Sequence, residues 1–132
     1  MFIRDIKMVS NNFKHKDITS QILSAAFEVH NTLGCGFLEK VYENALLYEL
    51  KQRGLKVETQ KEIKVYYKKT EVGIYLADMI VEKKVIIELK VSEAISNIHE
   101  AQLLNYLKAS SYEVGLILNF AKTRLEYKRL VM

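Results

Sequence analysis

Residues 75–91 read Tyr75-Leu76-Ala77-Asp78-Met79-Ile80-Val81-Glu82-Lys83-Lys84-Val85-Ile86-Ile87-Glu88-Leu89-Lys90-Val91. Two runs rich in Val, Ile and Leu flank a short charged segment, which is the pattern of a hairpin. The second run is apolar on both faces except at Glu88 and Lys90, so it predicts a central strand covered on both sides. Asp78, Glu88 and Lys90 are charges where a buried strand should have none. Burying an ionised group costs several kcal/mol unless it is paired or bound to a metal. Glu88 and Lys90 lie two apart and share one face of their strand. Turn length decides whether Asp78 joins them. A two-residue turn at Lys83-Lys84 pairs Glu82 with Val85 and turns Asp78 away from Glu88. A three-residue loop, or a bulge near Asp78, brings the two carboxylates together, and one of these is expected.

On the N-terminal side, Ile18, Ile22, Ala25, Ala26, Val29 and Leu33 recur at helical spacing. Asp17 or Thr19 is the expected cap, and Gly34 and Gly36 end the helix. A second helix is predicted over 38–53, with Val41, Tyr42, Ala45, Tyr48 and Leu50 on its apolar side and Gly54 as its stop. Ile63, Val65 and Tyr67 then alternate with lysines as a half-exposed strand, and 68–71 form a turn. On the C-terminal side come a helix over 98–109, a buried strand over 114–120 and a weaker strand over 125–131. The step from the central strand through that helix to the next strand is a parallel crossover. The whole predicts an α/β sandwich with a mixed sheet, one domain over 17–132, preceded by an arm or edge strand over 1–16.

The chain has 132 residues, 49% hydrophobic, with a formal charge of +4. That composition excludes wholesale disorder. No apolar run reaches the ~18 residues of a membrane span, and the first residues lack the apolar core of a secretory signal. A single cysteine, Cys35, excludes an internal disulfide and a cysteine-rich zinc site. A cytoplasmic protein is expected. The mild basic excess suits a polyanionic partner without demanding one.

Hard carboxylate oxygens at Asp78 and Glu88 suit Mg²⁺ or Mn²⁺. A lysine beside such an ion can orient a water or offset charge on a phosphoryl oxygen. The alternative is a structural Glu88–Lys90 or Asp78–Lys90 ion pair. Gln102 and Tyr106 lie on one face of the following helix, with His99 a short turn earlier. His30 reads as a core histidine bonded to a carbonyl. Cys35, between two glycines, lacks a nearby base and is not expected to act as a nucleophile.

The Asp78…Glu88-x-Lys90 arrangement resembles the PD-(D/E)xK nuclease superfamily, and more closely its small GxxExxY family. The likeness runs through Val29-His30, Leu33-Gly34-x-Gly36-Phe37-Leu38-Glu39-x-x-Tyr42, Ala45-Leu46, Asp78, Glu88-Leu89-Lys90, Ala101-Gln102-Leu103-Leu104-Asn105-Tyr106-Leu107, Gly115-Leu116 and Asn119-Phe120. Cys35 stands where that family often has proline, and Leu76 where a basic residue is common. The resemblance implies a restriction-endonuclease-like three-layer sandwich and metal-dependent cleavage of DNA, with RNA or branched DNA as variants. It implies metal ligands at Asp78 and Glu88, with Glu39 as the additional acid, and Lys90 as the residue positioning the water. It implies Gln102 and Tyr106 as supporting or substrate-binding residues; His99, by its place one turn earlier, and His30 are added to them as candidates from their positions. A branched substrate would call for a homodimer with two-fold-related sites. The competing function is a non-catalytic nucleic-acid- or protein-binding module on the same fold.

Overall fold

The computed structural model describes residues 14–132. The arm expected over 1–16 lies outside them, except that Lys14 and His15 form a turn and Lys16 opens the first helix. The order is α1 (Lys16–Leu33), α2 (Glu39–Gln52), β1 (Val57–Tyr67), β2 (Thr70–Val81), β3 (Val85–Lys90), α3 (Asn97–Ala109), β4 (Val114–Asn119) and β5 (Glu126–Val131). The five strands form one sheet in chain order. Every neighbouring pair is antiparallel except β3 and β4, which the α3 crossover makes parallel. Helices cover both faces, giving the three-layer α/β sandwich that the sequence predicts.

Two cores lie on opposite faces of the sheet. Ile22, Ala26 and Val29 of α1 and Tyr42, Leu46 and Leu50 of α2 pack on Val85, Ile87 and Leu89. Leu103 and Leu107 of α3 pack on Ile86 and Ile117. The crossover helix sits unusually close to the sheet at Gly115, where a Cβ would meet the Leu103 side chain at 2.8 Å.

Two local expectations are corrected. The first helix starts at Lys16, ahead of both proposed caps, with His15 in a left-handed conformation at its N-cap. Asp17 instead places its charge in the first turn, where the helix dipole favours it. In α2 the buried positions are Tyr42, Glu43, Leu46 and Leu50, while Val41 and Tyr48 are exposed. A spacing of four down one stripe defines that face, and the broader stripe read from the sequence is rotated from it. Gly54 stops the helix as expected: Gly54 N–H reaches Lys51 O and Leu55 N–H reaches Leu50 O, a Schellman closure.

Candidate active site

The β2–β3 turn is the three-residue loop Glu82-Lys83-Lys84. Val81 pairs with Val85, Ile80 with Ile86 and Met79 with Ile87. Continuing that register opposes Asp78 to Glu88. The ladder stops there, and the Asp78 carboxylate takes over its role, with Oδ2 accepting the Leu89 N–H at 2.8 Å. On β2, Ala77 joins the α3-side core while Met79 and Val81 join the α1/α2 side. The strand therefore switches face at Asp78. Opposite it on β1, pairing runs from Thr59↔Met79 to Lys61↔Ala77, and the skipped residue, Gln60, has φ 50°. Asp78 thus sits at a paired kink in both strands, released from the regular ladder.

Glu88 and Lys90 alternate with the α1/α2-side residues of β3 and so face α3. They line a cavity of about 90 Å³ together with Tyr75, His99, Gln102 and Tyr106. That volume holds several waters at ~10–15 Å³ each. Ser96 caps α3 through His99 N–H, and His99 Nδ1 accepts the Ser96 N–H in return. A neutral ring accepting at Nδ1 carries its proton on Nε2. Tyr106 lies parallel against Tyr75, ring centroids 3.5 Å apart.

Glu39 is the first residue of α2. The loop before it is fixed by Tyr42, whose hydroxyl donates to Gly34 O at 2.6 Å and accepts the Phe37 N–H at 3.2 Å. The Tyr42 ring stacks on Phe120 at 4.7 Å. Tyr42 therefore holds the chain that delivers Glu39. His30 belongs to the same cluster. It is buried, stacks on Phe120 and bonds Lys122 O through Nε2 at 2.7 Å. It is a carbonyl-bonded core histidine, as the sequence suggests, and it does not line the cavity.

Burial raises the carboxyl pKa of Glu39, Asp78 and Glu88 alike. Glu88 reaches about 7, with Lys90 pulling it down and Glu39 pushing it up. Asp78 is lowered in part by its Leu89 and Gln60 hydrogen bonds and by Lys90, and raised by Glu43. Glu39 is raised further by Asp78 and Glu43 and lowered by Lys90. The acids thus sense one another across a shared site. The ion-pair alternative is not met: among the described residues no salt bridge within 4.0 Å involves Asp78, Glu88 or Lys90.

Two contributors were not read from the sequence. Glu43 is buried, accepts from Gln60 Nε2 at 2.9 Å and pairs with Lys40 at 2.7 Å. Its spacing of four from Glu39 was the available signal. Gln60 carried none, since its role depends on the kink.

The site suits a hard divalent cation. Glu88 Oε1 is buried with no hydrogen-bond partner, and Glu39 and Asp78, which do not line the cavity, act on the site through their charges. Among the described residues no three His, Cys, Asp or Glu side chains are gathered into a ready metal cage. Mg²⁺ does not require one, because it is commonly held by one or two carboxylates plus waters and substrate phosphates.

Among the described residues no helix is long and apolar enough to cross a membrane. No curated protein matches the chain. Among solved structures it is similar to the crystal structure of SSO0001, with 27% identity and a TM-score of 0.49. That likeness covers 70% of this chain and 48% of the other, so the chain spans about half that protein's length. A family model, the PD-(D/E)XK nuclease superfamily, matches residues 16–130. The match runs from the first residue of α1 into β5, through both kinked strands and the crossover, and the chain belongs to the PD-(D/E)XK nuclease superfamily.

Proposed function

We propose that residues 17–132 form one cytoplasmic nuclease domain of the GxxExxY type that hydrolyses phosphodiester bonds of DNA with Mg²⁺ or Mn²⁺. The observation that carries this is a buried Glu88 oxygen lacking any protein partner, beside Lys90, on a strand whose pairing with β2, carried one residue beyond Met79↔Ile87, opposes Asp78 to Glu88. Asp78 and Glu88 would hold the ion, with Glu39 as the outer acid at the same site. When bound, the ion polarises a phosphoryl oxygen and makes a bound water more acidic. Lys90 orients the attacking water and offsets charge developing on the phosphoryl oxygens. Gln102 and His99 Nε2 present donors to the substrate backbone from the α3 wall, and Tyr106 offers its edge there. His30 acts only through the packing of Phe120 and Tyr42.

The test is a panel of single-stranded, duplex, flapped and four-way DNA, plus RNA, with Mg²⁺, Mn²⁺ or EDTA. Cutting with metal, absent in EDTA and in Asp78→Asn, is the expected result. Preference for the four-way junction would bring with it a homodimer. Tight binding of one substrate with no cutting under any metal would replace this reading by the binding module.

A further inference from the structure

The β1–β2 hairpin runs well past the sheet. Residues 70–77 of β2 pair with β1 alone, since β3 reaches only as far as Met79. At ~3.3 Å per residue, the nine steps from Lys69 at the tip to Asp78 extend about 30 Å from the site. The inner side of this arm, Ile63, Tyr75 and Ala77, packs with α3.

The tip is built against its own local preference. Tyr67 pairs with Thr70, so Lys68 and Lys69 alone make the turn, at φ 48° and 70°. A two-residue turn with both centres left-handed favours Asn-Gly, because a Cβ is crowded there. Two lysines occupy it instead. Such conflicts between local chemistry and sequence concentrate at functional positions. Lys61 and Lys64 further down the arm are paired with Glu58 and Glu71. Lys68 and Lys69 have no carboxylate within 4.0 Å among the described residues. Tyr66 and Tyr67 beside them are 58% and 62% exposed, and Lys68 Nζ stands 5.4 Å over the Tyr67 ring. Unpaired cations next to exposed rings are the combination that holds a nucleic-acid backbone and its bases.

We infer that the arm tip is a second nucleic-acid contact, in which Lys68 and Lys69 take backbone phosphates and Tyr67 stacks on a base or sugar. It rests on the nuclease reading above. At ~3.4 Å per nucleotide along a strand, the contact falls about eight or nine nucleotides from the phosphate at Asp78. The enzyme then needs a minimum length of substrate on one side of the cut.

The experiment measures binding of labelled DNA in EDTA, across salt concentrations, by wild type and by Lys68→Asn/Lys69→Gly. The variant restores the favoured turn, so its melting temperature should hold or rise. Its slope of log affinity against log salt should shrink by about 1.8, that is ~0.9 per lost phosphate contact. Over a fourfold salt increase wild type should therefore lose about twelvefold more affinity than the variant. Lys68→Arg/Lys69→Arg should keep the wild-type slope, and Tyr67→Leu should weaken binding at unchanged slope. A folded Asn-Gly variant with wild-type affinity and slope overturns the inference and leaves the nuclease reading standing. A variant that loses self-association but no nucleic-acid affinity also overturns it, and assigns the arm to a second copy of the chain. Wild type that binds no nucleic acid overturns both.

Discussion

Replacing Glu88 by glutamine should make the metal-free protein more stable at neutral and alkaline pH, and leave it nearly unchanged in acid. Glu88 titrates near 4.5 when unfolded and at about 7 when folded, chiefly because burial disfavours its charge. The folded state therefore holds the proton more tightly. Stability contributed by the neutral carboxyl is whole below about pH 4.5, declines as pH rises towards 7, and is lost above that. At ~1.36 kcal/mol per unit, the loss approaches ~3 kcal/mol, or roughly 10 °C in melting temperature for a chain of this size. Asp78 and Glu39, also raised, add to it in the same direction. Glutamine keeps the shape and carries no charge, so the variant should escape the decline. Thermal melts of both proteins in EDTA, from about pH 4 to about pH 8, measure the difference. Mg²⁺ should recover the wild type, by ~2.7 kcal/mol at a hundredfold excess over its dissociation constant, and leave Glu88→Gln unmoved. If Glu88 were instead the anchor of Lys90, its removal would strand a buried ammonium and cost ~3–5 kcal/mol. A variant less stable than wild type in EDTA near pH 8 would refute the reasoning.

Gln60→Ala removes a hydrogen bond that lowers the Asp78 pKa, so the acid limb of the cleavage pH profile should move to higher pH; an unmoved limb denies Gln60 that positioning role. Tyr42→Phe loses the bonds to Gly34 and Phe37. It should cost ~1–2 kcal/mol in denaturant melts and lower cleavage through Glu39, while a purely structural role would leave the activity of the folded fraction intact. Gly115→Ala forces Leu103 from its place, and should destabilise by ~1–3 kcal/mol with weaker substrate binding from the displaced α3.

The α3 crossover and the two buried strands were legible because each carries an unbroken period, and Gly54 because a helix stop needs a left-handed residue. The carboxylate pair was legible as a condition: pleat geometry made its convergence depend on which residues close the hairpin, Glu82 with Val85 or Val81 with Val85. Only the structure shows that it is Val81 with Val85. The apolar side of α2 was misjudged because Tyr48 and Val41 are exposed apolar residues, which hydrophobicity alone cannot tell from core. Gln60 was invisible for a different reason. Its left-handed backbone coincides with the interrupted pairing opposite Asp78, and no local residue preference announces it. Likewise Glu43 looks like any surface acid until α2 is laid against β1.

The loop Glu82-Lys83-Lys84 touches none of the reacting groups, yet it governs them. Removing any one of its three residues would leave every acid, the lysine and the α3 wall spelled out intact in the chain. By pleat parity Asp78 would then point into the α1/α2 core, while Glu88 and Lys90 stayed on the α3 side. A comparison of relatives by residue identity alone would score such a chain as fully equipped. Insertions and deletions between the two strands are therefore a more severe test of a working site than most point substitutions. They are tolerable only in steps of two, or when a compensating bulge restores the phase.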